Sequence, residues 1–180
     1  VNIPEAPTTD IYVQDYANII SPEVESQLLE KAHKLNEDTK GQIVFVTIKS
    51  LEGSTIDEYA NELARKWGIG SREYNNGVLV LVSLAERKVR IEVATGLEGR
   101  ITDVRATDIR KNIMGPYLSK DDFNNAFLKG FDALEKDVRI EYTAVTTSKE
   151  ESTPAKDSNN TDIIIAIIIF IVSIIVISSI

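Results

Sequence analysis

Four oxygen-bearing side chains bracket a pair of predicted strands and could together hold a cation. Asn75 and Asn76 stand immediately before an apolar run that begins at Gly77, while Glu98 and Asp103 follow the next run. Ca²⁺ takes six to eight carboxylate, amide and backbone oxygens. The same residues also suit a structural role, because Asn75-Asn76-Gly77 is typical of a turn and Asp103 is a good helix cap. Both interpretations stay open.

Two predicted strands bring these loops together. The runs GVLVLVSL (residues 77–84) and KVRIEVA (residues 88–94) are rich in β-branched residues, and only three residues separate them. Such a short connector predicts an antiparallel hairpin, so the loop before the first strand and the loop after the second lie at one edge of the sheet. The first strand is apolar on both faces, whereas the second alternates and should expose Lys88, Arg90 and Glu92 to water.

The stretch VATGLEGRITD (residues 93–103) decides how that edge is interpreted. Its glycines, Gly96 and Gly99, permit positive φ angles and predict a tight turn. We expect Asp103 to be the N-cap of the helix that follows. The turn would then fix the loop geometry, at a place where a cation could be held, rather than perform chemistry.

Other common catalytic patterns are missing from the sequence. It contains no G-x-S-x-G elbow and no G-x-x-x-x-G-K-[ST] phosphate loop, and GLEG lacks the third glycine of a dinucleotide fingerprint. The only histidine, His33, has no partner at a metal-site or dyad spacing, so we expect a half-exposed helical residue. No residue can be named as catalytic.

Composition narrows the classes of function further. The formal net charge is −8, which argues against a nucleic-acid partner because phosphates require a basic surface. The absence of cysteine excludes disulfides, thiol catalysis and cysteine-ligated zinc. The chain begins with valine, and a removed signal peptide is the simplest explanation.

The carboxyl-terminal part predicts a membrane anchor. Residues 163–180 carry no charge and, as a helix, would span roughly 27 Å, close to the hydrocarbon thickness of a bilayer. A buried core helix fits poorly because no face is polar, and a cleaved lipid-anchor signal is the remaining alternative. Residues 144–162 are polar, contain Pro154 and read as a flexible linker. The soluble domain would occupy residues 1–143.

Helix signals complete the expected fold. Ser21-Pro22 predicts a helix start, Thr55 and Glu58 have capping-box spacing, and Gly68 suits a helix end. A third helix should begin near Asp103 and break at Pro116, and a fourth should open with Ser119 and Asp122. With a further buried strand at QIVFVTI (residues 42–48), the pattern predicts an α/β protein, a three-layer α/β/α sandwich with a small mixed sheet.

Five stretches, taken in order, resemble the TPM domain family. They are VQDYANIIS (residues 13–21), GQIVFVTIKSLEG (41–53), YANELARKWGIG (59–70), NNGVLVLVS (75–83) and RKVRIEVATGLEGRITD (87–103). The family includes thylakoid-lumen proteins of photosystem II repair, an auxiliary protein of a nematode acetylcholine receptor and membrane-anchored bacterial proteins of the YgcG-like group. A polar linker followed by a membrane span also resembles the bacterial members.

The resemblance implies an α/β/α domain that faces away from the cytoplasm, a possible Ca²⁺ site and, in plant members, acid phosphatase activity. Asp103 matches the family's acidic residue after the GLEG turn, and Asp15 matches that of V-x-D-Y-A. Asn76 stands where many members carry aspartate, while Ala94 and Thr95 replace a usual glycine-aromatic pair. Asp15 also suits a plain role in capping a turn near the first helix.

Two functions follow as hypotheses. The first is a membrane-tethered, extracytoplasmic binding or assembly-support module with a protein partner at the membrane and an optional Ca²⁺. The second is a metal-dependent acid phosphatase that uses Asp103. Metal-assisted phosphoester hydrolysis clusters several carboxylates or histidines on its ions. Because the acidic set here is thin and the net charge opposes an anionic substrate, the sequence favours the module.

Overall fold

A computed structural model describes residues 2–70 and 73–152. The chain divides into two compact units, Val1–Thr143 and Ala144–Ile180. The first contains a four-stranded sheet, and its strands lie in the order β1-β2-β3-β4. They are β1 (Val13–Asp15), β2 (Gln42–Ile48), β3 (Gly77–Ser83) and β4 (Lys88–Val93).

The sheet is mixed, as the sequence predicts. Strands β1, β2 and β3 are parallel, and β4 pairs with β3 antiparallel. Every residue of β3 is buried, which agrees with its unbroken apolar run. The α/β class and the antiparallel hairpin are therefore confirmed. Strand β1 escapes the sequence analysis because it has only three residues, and its register against β2 is set by tertiary contact.

Helices lie against both faces of the sheet. On one face, Phe45 of β2 packs against Phe127 and Phe131, with ring centroids 5.4 and 6.3 Å apart. On the other, Arg90 of β4 pairs with Asp57 at 3.1 Å. The expectation that the polar face of β4 meets water holds for Lys88, which is exposed, but Arg90 and Glu92 are only partly exposed because α2 (Ile56–Trp67) covers that part of the face.

The first two helices begin and end where the sequence predicts. Helix α1 (Pro22–Thr39) has Ser21 as its N-cap, with proline in the first turn. Helix α2 has the predicted capping box between Thr55 and Glu58, and it ends at Gly68 with φ 62°. Local capping signals suffice here because each cap satisfies amides that have no partner within the helix.

The helical region after residue 102 differs from the prediction. Helix α3 (Asp103–Asp108) continues through a π-helix (Ile109–Met114) into α4 (Gly115–Leu118), so Pro116 does not break it. Pro116 lies in the first turn of α4, directly after the π-helix, where the helical hydrogen-bond pattern changes. Asp122 accepts from the Asn125 amide and precedes α5 (Phe123–Ser152), whereas Ser119 closes α4.

Helix α5 extends to Ser152, so the first nine residues of the predicted linker, 144–152, are helical rather than irregular. These residues are rich in Thr, Ser, Lys and Glu and have no apolar face, so their sequence gives no sign that the helix continues. No helix within residues 2–70 and 73–152 is long and apolar enough to cross a bilayer. The predicted linker residues 153–162 and the predicted span 163–180 lie outside the described residues.

Candidate functional site

Two adjoining depressions lie beside β4, at the place where the sequence predicts a site. The first, here called the glycine cleft, has a volume of about 400 Å³ and lies between the end of α2 and the loops flanking the hairpin. The second, the edge groove, has a volume of about 360 Å³ and follows the outer edge of β4. Glu92, Val93 and Glu98 border both.

Close backbone packing shapes the glycine cleft. A Cβ atom on Gly96 would lie 1.8 Å from the carbonyl oxygen of Tyr74, and one on Gly77 would lie 2.5 Å from that of Ile69. The Gly96 amide also donates to the Asn75 carbonyl at 3.0 Å. Glycine is thus required at these positions so that three loop backbones can approach one another.

Gly96 and Gly99 permit positive φ angles, but the turn does not use this freedom. Neither residue lies in the left-handed region, although Asn75 does, with φ 47°. The turn is instead anchored by Leu97, which is buried and whose carbonyl accepts from the Ile101 amide at 2.7 Å. Gly99 has open space around the position of a Cβ.

Asp103 is not the N-cap of α3, contrary to the sequence prediction. Thr102 holds that position, and its hydroxyl accepts from the Arg105 amide at 3.3 Å. The sequence RITD offers two neighbouring capping residues, and the backbone places the threonine one step earlier. Asp103 is therefore an exposed carboxylate in the first turn of α3, bordering the edge groove.

Three of the four predicted ligands border the two depressions. Glu98 borders the glycine cleft beside Asn75 and the edge groove beside Asp103. Asn76 borders neither: it is 8% exposed, and its side-chain amide donates to the Thr39 carbonyl at 3.4 Å. Within the part of the chain that the structure describes, no group of three or more His, Asp or Glu side chains is arranged to hold a metal.

Carboxylates at Glu98 and Asp103, with the amide of Asn75, have the chemistry that Ca²⁺ requires. They supply fewer oxygens than its usual six to eight, so backbone carbonyls and water would complete the set.

A buried carboxylate fixes the segment that carries Asp103. Asp137 of α5 is 4% exposed and accepts from Arg105 Nε at 2.8 Å, while Arg100 Nε lies 3.5 Å away. Hydrogen bonding to Asp137, aided by Asp108, raises the pKa of Arg105 above its ordinary value. The guanidinium therefore stays charged and holds α3 in place.

Arg90 and Glu92 also belong to the site, although the sequence predicts only exposed strand residues at these positions. Arg90 donates to Glu92 at 2.8 Å, and Asn61 of α2 donates to the same carboxylate at 3.3 Å. The available signal is the polar pair Asp57 and Asn61, four residues apart on α2, which faces the alternating polar residues of β4.

Two candidates lie in structural roles away from these depressions. The Asp15 carboxylate accepts from the amides of Ile19 and Ile20 and from the hydroxyl of Thr47, which confirms its capping role. His33 is half-exposed on α1, as predicted, and contacts Asp10.

Comparison with known proteins decides the family. A family model described as the TPM domain matches residues 13–137. The chain belongs to the TPM domain family. The predicted resemblance is thereby confirmed, and the match spans both depressions.

Solved structures share the fold of this TPM domain. One is the N-terminal domain of a P. gingivalis protein, with a TM-score of 0.70 and 23% identity over 79% of this chain and 96% of that one. Another is the N-terminal domain of cg2496 from Corynebacterium glutamicum, with a TM-score of 0.58 and 18% identity over 77% and 88%. A third is BA42 from Bizionia argentinensis, with a TM-score of 0.59 and 14% identity over 68% and 83%. Comparison with curated proteins found no match.

Proposed function

We propose that this TPM domain is a binding or assembly-support module, tethered to a membrane and facing away from the cytoplasm. The observation that carries the proposal is the pair of adjoining depressions at β4, which are bordered by the exposed carboxylates of Glu98 and Asp103. They form a recessed, acidic surface on a rigid sheet edge. Such a surface suits recognition of a cationic group or ion.

The roles of the polar groups around the site support binding rather than bond breaking. Glu92 is engaged with Arg90 and Asn61, and Asn76 donates to Thr39. A nucleophile needs a base within hydrogen-bond reach. The hydroxyl that borders the edge groove at Thr102 instead caps α3.

The tether and its orientation rest on the sequence. The uncharged run at residues 163–180 is long enough to cross a bilayer, and the polar run before it would keep the domain close to the lipid. A pull-down from membranes tests the module directly, with the full chain in mild detergent as bait. A specific protein should be enriched, and its recovery should fall when Glu98→Gln and Asp103→Asn are combined. Recovery of no specific protein would contradict the proposal.

Calcium is proposed as an accessory ligand of the same surface, held by Glu98, Asp103 and Asn75. A ligand that binds only the folded state raises the melting temperature. Millimolar Ca²⁺ should therefore raise the melting temperature of the full chain by a few degrees. The shift should disappear in Asp103→Asn and persist in the control Asp132→Asn, whose carboxylate pairs with Lys31 on α1. An equal shift in both variants would argue against this site.

The second candidate function is a metal-dependent phosphatase. The observation in its favour is that Asp103 and Glu98 border one groove with the Thr102 hydroxyl. Turnover of an aryl phosphate, measured with and without a chelator, tests it. Activity that is lost in Asp103→Ala while the circular dichroism spectrum stays unchanged would favour the enzyme over the module.

A further inference from the structure

The outer edge of β4 is an unpaired strand edge. Strand β4 ends the sheet, and within residues 2–70 and 73–152 no strand lies beyond it. It has six residues, whereas the opposite edge strand, β1, has three. A long exposed edge presents a row of backbone donors and acceptors to any extended chain of matching length.

The register identifies which backbone groups face outward. The Ala94 amide donates to the Gly77 carbonyl at 2.9 Å, and the pairing continues from Val78 opposite Val93. In an antiparallel pair, hydrogen-bonded positions alternate with positions whose N–H and C=O point away. The backbone groups of Val89, Ile91 and Val93 therefore point away from β3, toward the open side of the sheet.

The edge is recessed rather than flat. Arg90, Ile91, Glu92 and Val93, four consecutive residues of β4, border the edge groove on one side. The other side is formed by the chain that runs from Glu98 to the first turn of α3. A groove with an extended strand as one wall has the geometry of strand addition, in which a peptide pairs with the edge and places alternate side chains on either face.

The charge around the groove selects the kind of peptide. Glu98 and Asp103 are exposed and, in the described part of the chain, take part in no salt bridge, whereas Arg90 is paired with both Asp57 and Glu92. The surroundings are thus net negative. A second copy of this chain would place an identical carboxylate rim against the first, which like charges oppose.

From these observations we infer that the edge groove binds an extended, lysine- or arginine-containing segment of a partner protein, which adds as a fifth strand beside β4. The segment's backbone pairs with Val89, Ile91 and Val93, and its basic side chains approach Glu98 and Asp103. This inference deepens the proposed binding function and rests on it.

The test uses the full chain in detergent micelles and the capped peptide KVKVKVK. Binding should shift the amide resonances of Val89, Ile91 and Val93 and slow their hydrogen exchange at least tenfold, with little change at Arg90 and Glu92. The acidic peptide EVEVEVE should not bind. Slow exchange of the three outward amides before any peptide is added would overturn the inference, because another part of the chain or a second copy would already occupy the edge.

Backbone pairing is tested by N-methylation of the peptide. One variant is methylated at every valine and the other at every lysine, so only one removes the donors that face β4. One variant should lose at least tenfold in affinity while the other stays within threefold of the parent. Any other pattern contradicts strand addition.

A matched protein pair tests the same contact from the other side. Val93→Pro removes an N–H that the sheet does not use, and proline is tolerated at such edge positions. It should weaken peptide binding at least tenfold, whereas the control Val93→Ala should retain it. Unchanged binding by a folded Val93→Pro overturns the inference, and should that variant not fold, the exchange and N-methylation results still decide.

The membrane pull-down separates failure of this inference from failure of the proposed function. A partner enriched equally by the parent chain and by Val93→Pro, with no peptide binding, would rule out the β4 edge and leave the binding function standing. A bait that enriches nothing would remove the binding function itself.

Discussion

Arg105 donates to Asp137 across the gap between α3 and α5, and the accepting carboxylate is almost fully buried. The same carboxylate lies 3.5 Å from Arg100, just before the cap of α3. One side chain thus anchors both the end of the GLEG turn and the helix that carries Asp103. The candidate site depends on this anchor although Asp137 borders neither depression.

Removing the charge of that carboxylate should destabilise the fold. Asp137→Asn leaves Arg100 without its charged partner and leaves Arg105 with Asp108 alone, and both guanidinium groups are partly exposed, at 40% and 32%. We expect a loss of about 2 kcal/mol in the free energy of unfolding, below the range for fully buried pairs. Urea unfolding followed by fluorescence of the single tryptophan, the buried Trp67, measures it. The exposed pair of Asp132 with Lys31 provides the control, and Asp132→Asn should cost under about 1 kcal/mol.

The two glycines of GLEG should respond differently to alanine. Gly96→Ala places a methyl group against the Tyr74 carbonyl, so the loops must separate, and we expect a loss of about 1–3 kcal/mol. Gly99→Ala meets open space and should change stability by less than about 0.5 kcal/mol. Thermal melting of both variants checks this contrast. Equal effects would show that the Gly96 backbone does not pack closely against the Tyr74 carbonyl.

Alanine substitutions at Thr102 and Asp103 should lower the free energy of unfolding by different amounts. Thr102→Ala removes the N-cap of α3 and should cost about 1 kcal/mol. Asp103→Ala removes only a carboxylate near the start of the helix and should cost about 0.5 kcal/mol. Chemical unfolding of the two variants provides the comparison. A larger loss from Asp103→Ala than from Thr102→Ala would show that Asp103 is the N-cap, as the sequence predicts.

Acid should lower the free energy of unfolding by protonating Glu86, whose carboxylate joins the β3–β4 turn to the segment after β2. Hydrogen bonds from Ser83 and Ser50, with one from the Leu51 amide, lower the pKa of Glu86 to about 2 from an ordinary value of 4.5. The resulting stability is fully present above pH 4.5, where both folded and unfolded states are ionised. It is lost as pH falls from 4.5 toward 2, because the unfolded state takes up the proton first.

Glu86→Gln therefore should flatten this part of the pH profile. Free energies of unfolding measured from pH 7 to pH 2 should fall less steeply in the variant between pH 4.5 and 2. At neutral pH the variant should be the less stable of the two. Parallel profiles would mean that this carboxylate is not preferentially ionised in the folded state.

Much of the fold follows from local sequence. Ser21, Thr55 and Gly68 mark helix ends because capping is satisfied within a few residues, and β3 is recognised because both of its faces are apolar. The continuous helical path through Pro116 was not predictable in this way. It depends on a π-helix, for which composition gives no signal.

The location of the site was predictable from the sequence, whereas the contacts of its side chains were not. Hairpin geometry placed the loops at residues 75 and 98 correctly at one edge of the sheet. It could not show that Asn76 turns toward Thr39, or that α2 brings Asn61 to Glu92, because both depend on contacts across at least 31 residues of sequence. The open backbone of β4 likewise becomes visible only when the sheet order is known.

The amino-terminal segment is fastened to α2. The Lys66 amine donates to the Ile3 carbonyl at 2.8 Å, and the Trp67 indole donates to that of Pro4 at 2.9 Å. Asn2 borders a shallow hollow with Arg65, which also borders the glycine cleft. The segment from Asn2 to Pro4 therefore braces the end of α2 that forms one wall of the glycine cleft, and a substitution at Lys66 or Trp67 would loosen that wall from outside the cleft.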